Sequence, residues 1–131
     1  PTRALARARH CLEALPGGGA TPLAAALDAA RCMADSERRQ GRLPLLILMT
    51  DGRANVARDG KTGRAAGEAD ALAVAPLLRA TALPILLVDT APRPQPFAKQ
   101  LAHAMGGRHV PLPQADAAGL SSVVGAAVRA T

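Results

Sequence analysis

Apolar positions along the chain follow two different patterns. In five stretches they recur every three or four residues, as on one face of a helix. Two shorter stretches are instead continuous apolar runs that end in polar residues, and a third stretch shows this pattern more weakly. Continuous runs of this kind are typical of strands covered on both faces, as in parallel sheets. The predicted helices are 4–15, 22–39, 64–80, 97–105 and 116–128, and the predicted strands are 43–49, 83–88 and 108–112.

The order of these elements indicates the fold class. Strands that alternate with helices form a parallel sheet with helices on both faces, so the fold is predicted to be α/β. With 131 residues the chain has the size of one domain. Two segments within it are predicted to be irregular: the polar loop 53–63 and the proline-rich connection 91–96. Pro76 is expected to kink or shorten the helix over 64–80.

Two phrases carry most of the candidate chemistry. Residues 17–22 (GGGATP) place Thr21 on a glycine loop, as the predicted N-cap of a helix that begins at Pro22. Asp51 comes just after the apolar run 43–49. Ligands bind outside the carboxyl ends of parallel strands, so we expect the Thr21 hydroxyl and the Asp51 carboxylate to converge there. Hard oxygen ligands of this kind suit Mg²⁺.

Each of these residues also has a purely structural interpretation. Thr21 can act as a helix cap alone, and Asp51 can act by closing the turn at Gly52. A second carboxylate at a strand end, Asp89, is expected mainly to support the end of the sheet or to orient the loop of Asp51. Four basic residues flank the proposed site: Arg53, Arg58, Lys61 and Arg64. They can receive an acidic partner, or they can form a solvated surface.

Composition argues against several other functions. The formal net charge is +6, but the arginines are scattered and the chain has one Phe and no Trp or Tyr. Proteins that bind single-stranded nucleic acid usually stack bases on aromatic side chains, so nucleic acid is not an expected partner. No stretch approaches the ~20 apolar residues that span a bilayer, and no signal peptide is visible. We therefore expect a cytoplasmic protein without a membrane partner, in which Cys11 and Cys32 are buried thiols.

Three phrases of the chain resemble a known family. They are GGGATPL (17–23), LMTDGRANVARDG (48–60) and LVDTAPRPQPF (87–97). They are similar to the von Willebrand factor A (integrin I) domain and, more narrowly, to the carboxyl-terminal A domain of the magnesium chelatase D subunit. The resemblance covers essentially the whole chain and implies a von Willebrand A, Rossmann-like sheet. It also implies a part in inserting Mg²⁺ into protoporphyrin IX during the chlorophyll and bacteriochlorophyll synthesis of photosynthesis.

The resemblance further implies a coupling and docking module that is not itself catalytic, within an ATP-dependent ligase of several subunits. In the family, the D subunit pairs with the ATP-hydrolysing AAA+ I subunit, and the assembly drives the porphyrin-binding H subunit. Thr21 and Asp51 match the Thr and Asp of the family's metal-ion-dependent adhesion site (MIDAS), which takes its last ligand from an acidic side chain of a partner. The alternative is a metal-dependent A-domain adaptor of another AAA+ system, such as a cobalt chelatase.

The chain departs from the family pattern at its beginning. The first strand of the family, with its Asp-x-Ser-x-Ser sequence, is absent, and the chain starts at Pro1, not at Met. We therefore expect residues 1–131 to be a single, partial A domain of a longer protein. Metal binding by this piece alone is expected to be weak, because three oxygen ligands are missing. The strand at 43–49 is expected to have an unpaired edge.

Overall fold

Helices and strands alternate along the chain. The computed structural model describes residues 6, 7, 10, 22–55, 57–93, 95–112 and 117–129, and residues 6, 7 and 10 are helical. Thr21 and Cys11 lie outside the described residues, as does residue 116, where the last predicted helix begins. The described elements are α1 (Leu23–Arg39), β1 (Leu46–Thr50), α2 (Arg64–Ala80), β2 (Ile85–Asp89), α3 (Pro96–Ala104), β3 (Arg108–Pro111) and α4 (Ala117–Arg129).

The described strands form one parallel sheet in the order β1–β2–β3, which confirms the predicted α/β fold. The register pairs Leu46 with Ile85 and Thr50 with Asp89, so β1 and β2 end at the same level. In the part of the chain that the structure describes, β1 pairs with β2 alone. Its outer edge therefore has no described strand beside it, as the sequence predicts.

Strand β2 is the buried centre of the sheet, and each of its residues is at most 6% exposed. Ile85 and Leu87 belong to a core cluster with apolar side chains of α1, α2 and α3. Leu86 and Val88 alternate to the opposite face and are buried as well. Ala127 of α4 lines the same hollow as Leu86, which places α4 on that face. Helices therefore lie on both faces of the sheet.

Helix α2 runs unbroken from Arg64 to Ala80 although Pro76 lies inside it. The prediction that Pro76 shortens this helix is therefore wrong. Pro76 is exposed, whereas Ala75 and Leu78 are fully buried in the core cluster. Burial of the opposite face keeps the helix continuous, although Pro76 cannot donate a backbone hydrogen bond at its position.

Several element boundaries and one cysteine differ from the predictions. Strand β1 begins at Leu46 because Pro44 cannot donate to a strand ladder, and Leu43 is 90% exposed. Helix α1 begins at Leu23, so Pro22 precedes the helix and is not its first residue. The connection after β2 ends at Gln95, since α3 begins at Pro96. Cys32 is exposed on α1 and not buried.

The loop between β1 and α2 lies against the helix at a glycine. A Cβ atom placed on Gly67 would lie 2.6 Å from the carbonyl oxygen of Ala54, which is fully buried. One turn earlier, the Gly63 N–H donates a hydrogen bond of 2.9 Å to the Asn55 carbonyl. The first turns of α2 therefore fix the path of the loop as it leaves the sheet.

The substitution Gly67→Ala should lower the free energy of unfolding by about 1–3 kcal/mol, because the new methyl group has no room against the Ala54 carbonyl. Gly125→Ala is the matched control. Gly125 also lies inside a helix, but the atom nearest to its added Cβ would be the end of the flexible Arg129 side chain, at 3.3 Å. The control should be neutral or stabilising by up to about 1 kcal/mol. Urea unfolding measures both, and equal midpoints for the two variants would contradict the packing argument.

Candidate functional site

The carboxyl ends of β1 and β2 are held together by hydrogen bonds. The Thr50 carbonyl accepts from the Thr90 backbone N–H at 2.8 Å and from the Thr90 hydroxyl at 3.2 Å. The Asp89 carbonyl accepts from the Leu112 N–H at 2.7 Å, which ties the end of β2 to the segment after β3. The edge of the sheet where ligands of parallel folds bind is therefore a fixed frame.

Asp51 lies at this edge, directly after β1, with its side chain 51% exposed. Its Oδ1 accepts the Arg53 backbone N–H at 3.1 Å, and its Oδ2 lies 3.6 Å from Arg53 Nε. The Gly52 N–H donates to the Thr50 hydroxyl at 3.1 Å, and Gly52 adopts a left-handed φ of 77°. These contacts are those of a turn-closing aspartate. A carboxylate has about four acceptor positions, so the exposed group still has room for a further ligand.

Asp89 has a different environment from Asp51, because it is completely buried. Its Oδ1 accepts the Ala91 N–H at 3.0 Å, and its Oδ2 lies 3.2 Å from His109 Nε2 on β3. Both carboxylate oxygens therefore have partners inside the protein, as a buried charge requires. Asp89 supports the end of the sheet and the start of the connection 91–95, which agrees with its predicted structural role.

An open hollow of about 280 Å³ lies beside Asp51 and is called here the arginine hollow. The β1–α2 loop, the start of α2 and the connection after β2 contribute to it. Its lining contains three guanidinium groups and one carboxylate, so the hollow has an excess of positive charge. The residues that line it are Asp51, Gly52, Arg53, Arg64, Ala91, Pro92, Arg93 and Gln95.

Arg58 does not line the arginine hollow. Its guanidinium contacts Asp70 of α2 through Nε and Nη2, each at 3.0 Å, and Asp28 of α1 through Nη1, also at 3.0 Å. Its backbone N–H donates a further hydrogen bond to Asp70 at 2.6 Å. The hydrogen bonds to Asp70 and Asp28 raise the pKa of Arg58. This cluster, the Arg58 clamp, connects the loop to two helices.

Asp51 fits the role of a hard oxygen ligand for the Mg²⁺ that the sequence predicts, because its side chain is half-exposed and lies at the sheet edge. Within the described ranges, no group of three or more His, Cys, Asp or Glu side chains can hold a metal ion. A complete coordination shell therefore needs oxygens from outside these residues. The predicted convergence of Thr21 with Asp51 stays a prediction.

The structure brings together some of the residues that the sequence singles out and adds others. Arg53 and Arg64 join Asp51 in the arginine hollow, whereas Arg58 lies in the clamp. The sequence analysis missed Arg93. Asp51 is selected because it comes just after a buried strand, and the same rule applies to the connection after β2, in which Arg93 lies. It also missed His109 as the partner of Asp89, because no sequence signal pairs residues of different strands.

Fold and site together define an α/β domain whose parallel sheet presents a carboxylate and several guanidinium groups at its carboxyl edge. Nearly the whole chain is homologous to one part of a larger protein. It is 47% identical over 98% of its length to the magnesium-chelatase 60 kDa subunit of Cereibacter sphaeroides, and 40% identical over 99% to that of Rhodobacter capsulatus. It is also 32% identical over 99% of its length to the magnesium-chelatase 67 kDa subunit of Heliobacterium mobile.

The chain is therefore homologous to the carboxyl-terminal part of the magnesium-chelatase 60/67 kDa (D) subunits. It spans 23% of the length of the two 60 kDa relatives and 20% of the 67 kDa relative. No protein-family model and no solved structure matches the chain. Among the described helices, none combines the length and the apolar character needed to cross a membrane.

The Arg58 clamp should make stability depend on pH. The pKa of Asp70 is lowered from its ordinary value, first by the Arg58 backbone N–H and then by the Arg58 side chain. A carboxyl group with a lower pKa in the folded state stabilises the fold above its unfolded pKa, and this contribution is lost as the pH falls through the folded pKa. Asp70→Asn should therefore lower the urea midpoint at about pH 7 and have much less effect at about pH 2.

Asp35→Asn is the control for this comparison. Asp35 has only a surface contact of 3.7 Å with Arg31, so its replacement should change the midpoint little at either pH. A deficit of Asp70→Asn that has the same size at both pH values would show that the charge of Asp70 contributes nothing.

Proposed function

We propose that the chain is a coupling and docking domain of a magnesium chelatase D subunit and is not itself catalytic. Identity of 47% and 40% over nearly the whole chain to magnesium-chelatase subunits supports this assignment. The observation that carries the docking role is the half-exposed Asp51 at the carboxyl edge of the sheet, beside Arg53 and Arg64. Such an edge is where parallel α/β folds bind their ligands.

The activity of the whole assembly is part of the same proposal. The assembly would insert Mg²⁺ into protoporphyrin IX for chlorophyll or bacteriochlorophyll synthesis. The proposed partners are the ATP-hydrolysing AAA+ I subunit and the porphyrin-binding H subunit. The names of the relatives favour this proposal over an A-domain adaptor of another AAA+ system, such as a cobalt chelatase.

A metal ion is the second part of the proposal. Asp51 and Thr21 would hold a Mg²⁺ in a MIDAS-type site, and an acidic side chain of a partner would bind at the same place. When bound, Mg²⁺ would supply a positive charge that attracts this carboxylate. Arg53 and Arg64 would support the same partner by direct ion pairs, because both line the hollow that contains Asp51. Arg58, predicted from sequence as a third docking residue, would act indirectly through its clamp.

The hydrogen bonds around the site supply a route for mechanical coupling. A force on Asp51 acts on Thr50, which is bonded to Thr90 at the end of β2. The same loop is fixed to α1 and α2 by Arg58, through Asp28 and Asp70. A partner docked at Asp51 would therefore move the sheet edge and both helices as one body, which is what transmission of ATP-driven motion requires.

The test replaces Asp51 in the full-length D subunit. Asp51→Asn keeps a side-chain oxygen that can close the turn with the Arg53 N–H but removes the charge, and Asp51→Ala removes both. Both variants should lower the rate of magnesium insertion, by on the order of tenfold or more, since loss of even an indirect metal partner commonly costs that much. Fluorescence of the magnesium porphyrin, with the I and H subunits, ATP and Mg²⁺ present, measures this rate.

Asp35→Asn is again the control, because it removes an exposed carboxylate from α1, outside the arginine hollow. Its rate should equal that of the unmodified subunit. A full rate for both Asp51 variants would exclude Asp51 from docking and from metal binding. A low rate for Asp51→Ala with a full rate for Asp51→Asn would reduce the role of Asp51 to closing the turn.

A further inference from the structure

Two helix N-termini open onto the arginine hollow. Arg64 is the first residue of α2, and Gln95 directly precedes α3; both line the hollow. Neither helix has a side-chain hydrogen bond at its N-cap, and neither has an acidic residue in its first turn. Helix N-termini carry partial positive charge and unpaired backbone N–H groups, which acidic side chains usually neutralise. The described first turns of these two helices therefore supply no carboxylate to their own positive ends.

The arginines add full charges at the same place. The positive charge of Arg64 is unfavourable at the start of a helix, where the helix dipole is also positive. Glu68, in the next turn, accepts a hydrogen bond from Arg64 Nε alone. The terminal nitrogens of the Arg64 fork therefore still have N–H groups to donate. Arg93 is exposed on the connection after β2 and forms no ion pair with any described residue. Only Asp51 opposes these charges within the lining.

We propose that the arginine hollow binds an acidic peptide segment, with several Asp or Glu residues in succession, of a partner protein. Arg93 and Arg64 are its anchoring residues, and Arg53 contributes a third ion pair. This inference rests on the proposed docking function and names the chemistry of the partner. It adds Arg93 and the two helix N-termini to the site, and it requires no metal ion.

The geometry favours a peptide over a phosphate group. The guanidinium groups come from three separate segments around an open hollow, so they suit carboxylates spaced along a chain. Asp51 lies among them and would repel a compact dianion, whereas a peptide can direct its backbone N–H groups at that carboxylate. A proline, Pro92, lines the hollow beside Ala91 and offers apolar contact to the stems of acidic side chains.

The experiment measures binding of fluorescein-labelled hexaglutamate to the full-length D subunit by anisotropy, with EDTA present to remove metal ions. Arg93→Gln should raise the dissociation constant about two- to fivefold, as expected for loss of one exposed ion pair. The triple variant with Arg53→Gln and Arg64→Gln should raise it about tenfold or more, and added salt should weaken binding to the unmodified subunit. Arg39→Gln is the matched control, since it removes an exposed arginine at the end of α1.

The control should bind hexaglutamate as the unmodified subunit does. Equal binding by the triple variant would overturn the inference, and so would an equal loss in Arg39→Gln, which would indicate general charge attraction. Displacement of the peptide by inorganic phosphate at lower concentration than by unlabelled hexaglutamate would make the hollow a phosphate site and would also overturn it. Arg93→Gln alone keeps the test decisive if the triple variant unfolds, because Arg93 has no ion pair to a described residue.

The two proposals can fail separately. If the arginine variants lose the peptide while both Asp51 variants insert magnesium at the full rate, the peptide site stands and the coupling role of Asp51 falls. If the Asp51 variants lose magnesium insertion while the triple arginine variant keeps the peptide, the coupling role stands and the acidic-peptide site falls.

Discussion

Burial of β2 on both faces is the constraint on which the rest of the structure depends. The strand can carry no polar side chain until it ends, so its first carboxylate, Asp89, appears at the carboxyl edge and is itself buried. A buried carboxyl group needs hydrogen-bond partners, and Asp89 has them in the His109 ring and the Ala91 N–H. These bonds fix the direction of the connection after β2. The position of Arg93 on that connection therefore depends on how the buried Asp89 side chain finds its hydrogen-bond partners.

The two carboxylates at the sheet edge differ in their degree of burial. Asp89 has its oxygens occupied and lies within the protein, whereas Asp51, one strand away, projects half-exposed into a hollow. Arg58 and Arg53 are both exposed, but Arg58 bridges two carboxylates whereas Arg53 lines the hollow. Residues that hold the loop and residues that line the hollow therefore alternate along a short stretch of chain.

The sequence predicts what depends on local periodicity and little of what depends on distant contacts. The bounds of α2 follow from its apolar repeat, and Asp51 is found because a long apolar run precedes it. Pro76 misleads, because packing of the opposite helix face outweighs its local effect. The clamp that Arg58 forms is not predicted, since its partners Asp28 and Asp70 are distant in sequence and no spacing rule connects them. The pairing of His109 with Asp89 depends on strand order, which periodicity alone does not define.

The near absence of aromatic residues has a practical consequence. The single Phe of the chain, Phe97, lies on α3 and is buried in the core, and the chain has no Trp or Tyr. The domain therefore contributes almost no absorbance at the wavelengths used to quantify proteins and no indole emission. The fluorescence of a tryptophan placed in a bound segment, or introduced at the hollow, would report on its surroundings without background indole emission from this part of the protein.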